Sequence, residues 1–360
     1  MAAGELFGGA ERQIITLCEF LQARGTAFTV YLFKDGMLAA ALRERGCSVQ
    51  LLPGTGRFSP AAVAALNRSL QERDVRIVHV HGYKAMLHCL FLTRGRFAFV
   101  KTEHGRPELR SANLPASVRA RLYAAVDTIA TRAVRAHVVY VTAELRAWFA
   151  GRHRGLQGSV IYNGIDTINT DDLNRPAQFL PRQVNVAIVG RLEKVKGIEF
   201  ALQTMRSPDL APAIHLHIVG DGPLATSLAA TVRELGLETR VTMHGFRRNV
   251  FEYIAHADAL LVPSLHEGLP YTVLEAMALG TPVLATRVGG LAEVFGDGKV
   301  AWLFDAASPG AMVAPLNAIA IDPQLRARMT TAAQAELAAR FSAEVMGSAY
   351  LQLYAALAAP

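Results

Sequence analysis

Apolar and polar positions along the chain fall into blocks that predict strands and helices in regular alternation. Short apolar runs predict buried strands, and the longer segments between them predict helices. The first half of the chain contains predicted strands at 26–33, 49–52, 77–80, 97–102, 138–141 and 160–162. The second half contains predicted strands at 184–189, 214–219, 241–244, 259–262, 283–285 and 302–304. Strands that alternate with helices are typical of parallel sheets covered on both faces, so the pattern predicts an α/β fold.

Chain length and a break in this pattern predict two domains. The chain has 360 residues, of which 51% are apolar and 19% charged, enough to bury a sizeable core in each of two domains. Segment 167–183 is polar, contains prolines and has no apolar period, which is typical of an interdomain linker. We therefore predict domains at 1–166 and 184–341, followed by a terminal helix within 342–360.

Composition indicates a protein of a reducing, aqueous compartment. No apolar stretch reaches the roughly 18 to 20 residues of a membrane-spanning helix, and the N-terminus lacks a basic segment followed by an apolar run. Cys18, Cys47 and Cys89 have neither a C-x-x-C partner nor metal-ligand spacing, which predicts free thiols. We predict a cytoplasmic location.

The stretch 258–290, DALLVPSLHEGLPYTVLEAMALGTPVLATRVGG, holds the strongest functional signal. Its pattern predicts a strand, a loop, a helix that starts at Pro270, and a second strand. The loop and the first backbone N–H groups of that helix would together form an anion site. Two carboxylates accompany this site, Glu267 just before the helix and Glu275 within it. Alternatively, Glu267 only complements the helix dipole and Glu275 is solvated.

A second loop adds positive charge. The strand predicted at 184–189 ends in GRLEKVKG, residues 190–197, which contains Arg191 and Lys196. A guanidinium fork and an ammonium together suit a diphosphate, whose charge is spread over several oxygens. Lys194 lies between them and is not assigned to a ligand. The alternative is a solvated basic loop.

These motifs resemble the signature of the retaining nucleotide-sugar glycosyltransferases of the GT-B fold, the large family-four group (glycosyl transferases group 1). The E-x7-E pair of that family falls on Glu267 and Glu275, and its G-R-L-x-x-x-K-G loop falls on 190–197. NGID at 163–166 is similar to its hinge entry, and GGAER at 8–12 is similar to its first glycine-rich turn. The resemblance implies two Rossmann-like parallel-sheet domains that face a cleft, with the last helix crossing back to the first domain.

The resemblance also implies roles for individual residues. Glu267 and His104 would be catalytic, and Glu275 would bind the ribose of the donor. The other donor contacts would be the diphosphate-binding groups Arg191, Lys196, Gly8, Gly9, Gly268 and Leu269 and the nucleobase-loop residues Phe246 and Arg247. From sequence alone, a strand-end histidine such as His104 is more often structural, and the resemblance reverses that preference. His81 is the lesser candidate.

The N-terminus departs from the family pattern. In the family a buried strand precedes the GGAER stretch, whereas here only MAAGELF, residues 1–7, precedes it. Either the native chain starts upstream of Met1, or the central strand of the first sheet is absent and the first domain is weakened.

Charge is distributed unevenly along the chain. Residues 1–170 contain 22 Lys and Arg against 12 Asp and Glu, whereas residues 171–360 contain 15 against 18. The arginines near a predicted amphipathic helix of the first domain are Arg106, Arg110, Arg119, Arg121, Arg132 and Arg135. Such a face suits anionic phospholipid headgroups or a diphosphate-linked lipid, although an ordinary solvated helix has the same pattern. No nucleic-acid motif accompanies it, so nucleic acid is not an expected partner.

The functional hypothesis is transfer of a sugar from a nucleotide-diphosphate sugar to a glycan or lipid-linked glycan, with retention, in cell-envelope polysaccharide synthesis at the inner face of the membrane. A UDP-sugar is favoured over a GDP-sugar as the donor. The sequence has no Asp-x-Asp, so we predict that neither a metal nor another cofactor is required and that cationic side chains and the helix dipole stabilise the leaving phosphate. Two alternatives stay open: an inactive or binding-only protein, and a nucleotide-sugar epimerase or phosphorylase.

Overall fold

A computed structural model describes residues 1–4, 8–54, 56–92, 97–106, 114–296, 298–305 and 308–358. The chain divides into two compact units. Unit 1 contains Met1–Gly164 and Ala343–Pro360, and unit 2 contains Ile165–Ser342. Within the described ranges, no helix combines the length and the apolar character that crossing a membrane requires.

Unit 1 consists of parallel strands that alternate with helices, as the apolar pattern predicts. Its strands are β1 (Val30–Leu32), β2 (Val49–Leu51), β3 (Ile77–His81), β4 (Ala98–Glu103), β5 (His137–Tyr140) and β6 (Gly158–Val160). The helices between them are α1 (Gly9–Ala23), α2 (Met37–Glu44), α3 (Pro60–Glu72), α4 (Tyr83–Cys89), α5 (Leu114–Ala133) and α6 (Ala143–Phe149). Strand β1 pairs with β2, and β3, β4, β5 and β6 form a second sheet in that order.

The first residues of the chain contact both sheets of unit 1. Ala2 forms a parallel bridge with Leu32 of β1. On the other side, the Met1 ammonium donates to the His79 carbonyl at 2.6 Å, and the His81 N–H donates to the Met1 carbonyl at 2.8 Å. Met1 and Ala2 therefore lie between β1 and β3, where they make the hydrogen bonds of a very short central strand.

The described strands of unit 2 form a six-stranded parallel sheet. Its strands are β7 (Val184–Val189), β8 (Ile214–Val219), β9 (Val241–Gly245), β10 (Ala259–Val262), β11 (Val283–Thr286) and β12 (Ala301–Phe304). Its helices are α7 (Ile198–Thr204), α8 (Ala225–Glu234), α9 (Val250–Ala255), α10 (Tyr271–Leu279), α11 (Gly289–Phe295), α12 (Pro309–Ile321) and α13 (Pro323–Arg340). The spatial order is β12-β11-β10-β7-β8-β9, so the chain reverses its direction across the sheet between β7 and β10. Ligands of open α/β sheets bind at such a switch point, outside the carboxyl ends of the strands.

The strands on either side of this switch point are buried, which explains their nearly continuous apolar sequences. Val186, Ile188, Leu216 and Leu261 belong to one core cluster, which the helices of unit 2 cover. Burial of each such side chain stabilises the fold by about 1.5–3 kcal/mol relative to exposure. The strand ends at the switch point are therefore rigid supports for the loops that follow them.

Segment 167–183, which the sequence predicts as a linker, lies within unit 2. Phe179 is buried there with Val219 and Tyr253, and its ring centroid lies 4.1 Å from that of His217. A single aromatic side chain thus fastens a polar segment that has no apolar period. The division between the units consequently follows Gly164.

The last helix, α14 (Ala343–Ala358), belongs to unit 1. Its Met346 and Tyr350 are buried in one cluster with Leu17 and Phe20 of α1. A Cβ at Gly347 would collide with the Phe20 ring, so glycine permits the close approach of the two helices. The three cysteines, Cys18, Cys47 and Cys89, are buried free thiols, as predicted.

Candidate functional site

The switch point of unit 2 brings together the loops after β7 and β10. The first loop, 190–197, ends at Gly197, whose φ of +63° lies in the left-handed region. A Cβ at this position would collide with the Pro263 carbonyl oxygen, so the loops can approach this closely only at glycine. The N–H of Leu265 donates to the Val195 carbonyl at 2.8 Å and joins the second loop to the first.

A third segment holds the second loop from its other side. The N–H of Gly290 donates to the Glu267 carbonyl at 3.0 Å. A Cβ on Gly289, whose φ is +49°, would collide with the same carbonyl oxygen. The backbone of Glu267 is therefore fixed between the first turn of α11 and loop 190–197, and its side chain starts from a defined position.

The Glu267 carboxylate meets a cation and a hydroxyl group. Lys196 Nζ lies 2.6 Å from Glu267 Oε1, and Ser264 Oγ donates to the same oxygen at 2.7 Å. The Lys196 side chain is 28% exposed and the Glu267 side chain 11%, so solvent only partly screens the pair. Both residues line a cavity that Arg191 and Thr272 also border. The structure therefore gathers two cations and one carboxylate around one opening.

Arg191 is the more exposed of the two cations. Its Nε lies 2.9 Å from Glu193 Oε1, and 54% of its side chain is exposed. Exposed ion pairs of this kind typically contribute about 0–1 kcal/mol, so the guanidinium can exchange Glu193 for another anion at small cost.

Helix α10 begins beside this cavity. Pro270 is its N-cap, with an extended ψ of 138°, so the helix starts at Tyr271, one residue later than predicted. Leu269 is buried and Gly268 is half-buried. Glu275, on the second turn, is only 2% exposed. The alternative that Glu275 is a solvated surface residue is therefore wrong.

Phe246 and Arg247 follow β9 at the same edge of the sheet. Both are exposed, and Phe246 retains 59% of its accessible surface. The loop that follows β8 begins at Gly220 and lies between the loops after β7 and β9. The Gly220 N–H donates to the Gly245 carbonyl at 2.9 Å, and a Cβ on Gly220 would collide with the Gly190 carbonyl oxygen. The loop predicted to meet the nucleobase thus lies two strands from the Arg191 loop.

In unit 1, His104 follows β4 and pairs with His81 at the end of β3. His81 Nδ1 and His104 Nε2 are 2.9 Å apart. One ring must donate and the other accept, so at least one imidazole of this pair is neutral. Burial lowers the pKa of His104 to about 4 and the pKa of His81 well below its ordinary value. The carboxyl ends of β3 and β4 therefore present a coupled pair of neutral imidazoles.

A buried hydrogen-bond network lies beside this pair, and the sequence analysis missed it. His79 Nδ1 lies 2.6 Å from Tyr354 Oη, and its Nε2 lies 2.7 Å from Thr102 Oγ1. Thr102 Oγ1 is 2.9 Å from Tyr350 Oη, to which Gln13 Nε2 donates at 3.2 Å. The network joins β3, β4, α1 and α14. The two histidines of β3 are two residues apart and so share a strand face, which is the signal that could have revealed it.

A buried charged cluster precedes His104 on β4, and it too was missed. Lys101 is 1% exposed, and its Nζ lies 2.6 Å from Glu103 Oε1 and 2.5 Å from Asp127 Oδ2. Burial lowers the pKa of Lys101, but the two carboxylates outweigh burial and raise it above its ordinary value. Burial raises the pKa of Glu103. The cluster fastens β4 to α5.

Gly8 and Gly9 open α1 and are exposed. Gly8 is the N-cap, and its N–H donates to Glu11 Oε2 at 2.9 Å. Burial raises the pKa of the Glu11 carboxyl. The Gly8 amide thus already has an acceptor within its own helix.

The basic face predicted in unit 1 is only partly assembled. Arg121 and Arg132 are exposed on α5, whereas Arg106 pairs with Glu144 and lies over the Trp148 ring. Arg110 and the side chain of Arg119 lie outside the described residues. Among the described side chains of α5, the large apolar residues Val118, Leu122 and Ile129 are also exposed. Their spacing places them along one side of the helix.

In the part of the chain that the structure describes, no cluster of three or more His, Cys, Asp or Glu side chains could hold a metal ion.

Two protein-family models match the chain. The model described as glycosyl transferases group 1 matches residues 171–336, and the model described as glycosyltransferase family 4 matches residues 7–168. The two matches lie largely one in each unit and leave out α14.

Similar curated proteins include two lipopolysaccharide core biosynthesis glycosyltransferases of Rhizobium meliloti. LpsD is 30% identical over 183 residues, which are 51% of this chain and 51% of LpsD. LpsE is 29% identical over 170 residues, which are 47% of this chain and 49% of LpsE. The chain thus spans about half the length of the curated relatives it matches.

Similar solved structures cover nearly the whole chain. HepE of Anabaena in complex with UDP has a TM-score of 0.81 at 23% identity and covers 99% of this chain and 98% of its own. Sucrose-phosphate synthase of Thermosynechococcus elongatus has a TM-score of 0.81 at 21% identity and covers 97% and 94%. At such identities the likeness concerns the fold, two Rossmann-like domains of the GT-B type.

Proposed function

The chain belongs to the group 1 glycosyltransferases with the GT-B fold, and we propose that it transfers a sugar from a nucleotide-diphosphate sugar to a glycan or lipid-linked glycan, with retention of anomeric configuration. The observation that carries this proposal is the switch point of unit 2, where Lys196, Arg191 and Glu267 border one cavity. Cleavage of a sugar–diphosphate bond develops negative charge on the leaving phosphate and positive charge on the anomeric carbon. The site offers groups of both signs.

Lys196 and Arg191 would stabilise the leaving diphosphate, together with the backbone amides of Gly268 and Leu269, which precede α10. Lys196 would divide its ammonium between the phosphate and Glu267, 2.6 Å away. Loss of one such charged donor typically costs about 10²–10³ in kcat. The ion pair of Arg191 with Glu193 is more exposed than the pair of Lys196 with Glu267, so Arg191 can exchange its partner for the ligand.

Glu267 would position the hydroxyls of the donor sugar near the reacting carbon. Its carbonyl is held by Gly290 and its carboxylate by Lys196 and Ser264, which supports a fixed orientation. Glu275 would bind the ribose. A carboxylate has two oxygens, which can accept hydrogen bonds from the two ribose hydroxyls.

Within unit 1, we assign His104 a hydrogen bond to the transferred sugar, and we assign the Gly8 and Gly9 amides to the diphosphate, for which the Gly8 amide would exchange its bond to Glu11. His104 would act as a neutral imidazole, since burial lowers its pKa to about 4. It would therefore orient the sugar by hydrogen bonding and would not supply a positive charge near neutral pH.

No metal is required in this account, because Lys196, Arg191 and the dipole of α10 supply the positive charge. We expect sugar transfer to proceed in the presence of EDTA. Complete loss of activity in EDTA, with recovery on addition of Mn²⁺, would overturn this part of the proposal.

We favour a UDP-sugar as the donor and a glycan of the cell envelope as the acceptor. The UDP-sugar donor is supported by the complexes of the structurally similar HepE with UDP and with UDP-glucose. The cell-envelope acceptor is supported by the similarity of this chain to lipopolysaccharide core glycosyltransferases. Phe246 and Arg247 would meet the base, for which an exposed aromatic ring and a guanidinium are suitable partners.

Peripheral contact with an anionic membrane would bring the enzyme to a lipid-linked acceptor at the inner face of the membrane. The exposed Leu122 and Ile129 beside Arg121 on α5 support such a contact, because apolar side chains flanked by cations suit a headgroup region. We expect Arg121→Glu and Leu122→Gln each to weaken sedimentation with phosphatidylglycerol vesicles. Unchanged sedimentation relative to Arg68→Glu, on the exposed side of α3, would count against the contact.

The experiment that tests the function is a turnover assay with a panel of UDP- and GDP-sugars, in EDTA, with a lipid-linked glycan extract as the acceptor. The proposal predicts acceptor-dependent release of one nucleoside diphosphate, and loss of that release in Glu267→Gln. Turnover without an acceptor would indicate an epimerase, and cleavage that requires phosphate would indicate a phosphorylase. The absence of turnover with nucleotide binding preserved would indicate a binding-only protein.

A further inference from the structure

We propose that unit 1 contains a second anion site, a phosphate-binding cavity at the amino ends of β4, β5 and β6. The cavity has a volume of about 850 Å³, within the usual range for small-molecule sites. Its walls include Phe97, which precedes β4, His137, which starts β5, and Gln157, which precedes β6. The site is independent of the proposed transferase activity.

The cavity lies at the opposite edge of the sheet from His104. Strand β4 runs from Ala98, which lines the cavity, to Glu103, which His104 follows. At about 3.3 Å per residue, this separates the cavity from His104 by about 20 Å. A ligand in the cavity therefore cannot share the strand-end position at which His104 lies.

Three guanidinium groups give the cavity its charge. Arg132 and Arg135 come from the end of α5 and the turn after it, and Arg154 comes from the connection between α6 and β6. No Asp or Glu lines the cavity among the described residues, and none of the three arginines forms an ion pair with a described carboxylate. Arginine forks match the oxygens of phosphate.

The backbone holds one of these arginines in an uncommon conformation. Arg135 has a φ of +52°, and its N–H donates to the Arg132 carbonyl at 3.0 Å. This turn ends α5 at a position where glycine or asparagine is the usual residue. The helix dipole favours cations near this helix end, which accounts for Arg132 and Arg135 but not for Arg154.

The other residues that line the cavity indicate the chemical character of the rest of the ligand. Phe97, Phe99, Leu156 and Leu357 are apolar, while Gln157 contributes a neutral amide. Burial lowers the pKa of His137, so its imidazole is neutral at pH 7. The site fits a phosphate or diphosphate group joined to an apolar body. Such a group belongs either to a membrane phospholipid or to a soluble phosphorylated compound.

The test is calorimetric titration of the full chain with inorganic pyrophosphate. We would use an Arg191→Gln/Lys196→Gln background, so that the cations of unit 2 do not contribute to binding. Added to this background, Arg154→Gln and Arg135→Asn should each weaken pyrophosphate binding about tenfold, the effect of losing roughly 1.4 kcal/mol of binding free energy. Arg68→Gln removes the same charge from exposed α3 and should have no effect. Asparagine tolerates a positive φ better than arginine does, so Arg135→Asn should not unfold unit 1.

Sedimentation with vesicles of equal parts phosphatidylcholine and phosphatidylglycerol distinguishes the two sources. If Arg154→Gln and Arg135→Asn also weaken vesicle binding, relative to Arg68→Gln, the phosphate is that of a lipid. If they weaken pyrophosphate binding alone, the ligand is a soluble phosphorylated compound. If both variants match Arg68→Gln in both measurements, the inference is wrong.

Discussion

Removal of the Lys101 ammonium should destabilise unit 1 more than any exposed ion pair could. Lys101 is 1% exposed, and its two partners, Glu103 and Asp127, have side chains that are 12% and 16% exposed. Lys101→Met leaves both carboxylates buried without a cation. Breaking a buried pair in this way typically costs about 3–5 kcal/mol, a large part of the roughly 5–15 kcal/mol that stabilises a typical domain.

The assay is urea unfolding followed by tryptophan fluorescence. The sequence contains two tryptophans, Trp148 in unit 1 and Trp302 in unit 2, so a Trp302→Phe background reports on unit 1 alone. The matched control is Arg43→Met, which breaks an ion pair of 2.6 Å whose side chains are 45% and 57% exposed. That control should change the free energy of unfolding by about 0–1 kcal/mol.

The effect of Lys101→Met should also depend on pH. Burial raises the pKa of Glu103 in the folded protein, and loss of the neighbouring ammonium raises it further. A raised folded-state pKa means that the folded state binds the proton more tightly, so stability falls as pH rises above the ordinary pKa of a glutamate. The variant should therefore be less destabilised at pH 5 than at pH 8. A cost below about 1 kcal/mol at both pH values would refute the assignment of a buried, mutually dependent cluster.

Three further predictions concern the two candidate sites. Gly197→Ala should lower both the stability of unit 2 and its nucleotide affinity, because the new Cβ would collide with Pro263. The control Gly236→Ala has a similar φ of +65° and open space around it, so it should show only the cost of a left-handed alanine, about 1–2 kcal/mol. Equal effects of the two substitutions in urea unfolding would contradict the packing argument. His81→Asn, which keeps a polar group near the Nδ1 position, should preserve turnover better than His81→Leu, and equal turnover of the two would show that the bond to His104 is dispensable. Because burial lowers the pKa of His104 to about 4, His104 stays neutral as pH rises from 5 to 8, so the profile of kcat against pH should have no inflection from this residue in that range; an inflection that disappears in His104→Asn would refute this.

Much of the fold follows from the sequence because buried parallel strands need nearly continuous apolar runs. Strands β7, β8 and β10 have such runs, and their predicted bounds match the observed ones. Strand β1 is shorter than predicted, Val30–Leu32 in place of 26–33, since its partner strand β2 spans only Val49–Leu51. Apolar character marks burial, whereas strand length also depends on the partner.

Other features depend on contacts between residues far apart in sequence, which a local pattern does not record. Phe179 fastens a polar segment to unit 2 through His217, and Met1 reaches His79 to fill the space beside β3. The strand-end positions of Glu267 and Lys196 follow from the pattern, but their ion pair depends on the glycines that let the loops meet.

The most direct test of the central claim is calorimetric titration of the full chain with UDP and with GDP, comparing Lys196→Gln with Lys194→Gln. Lys194 lies in the same loop and is exposed, whereas Lys196 borders the cavity beside Glu267. The account predicts that UDP binds the native chain and Lys194→Gln equally. In Lys196→Gln binding should be weaker by about tenfold or more, since a lost charged hydrogen bond costs roughly 1.5–3 kcal/mol. Failure of the native chain to bind either nucleotide, or equal weakening by the two variants, would contradict it.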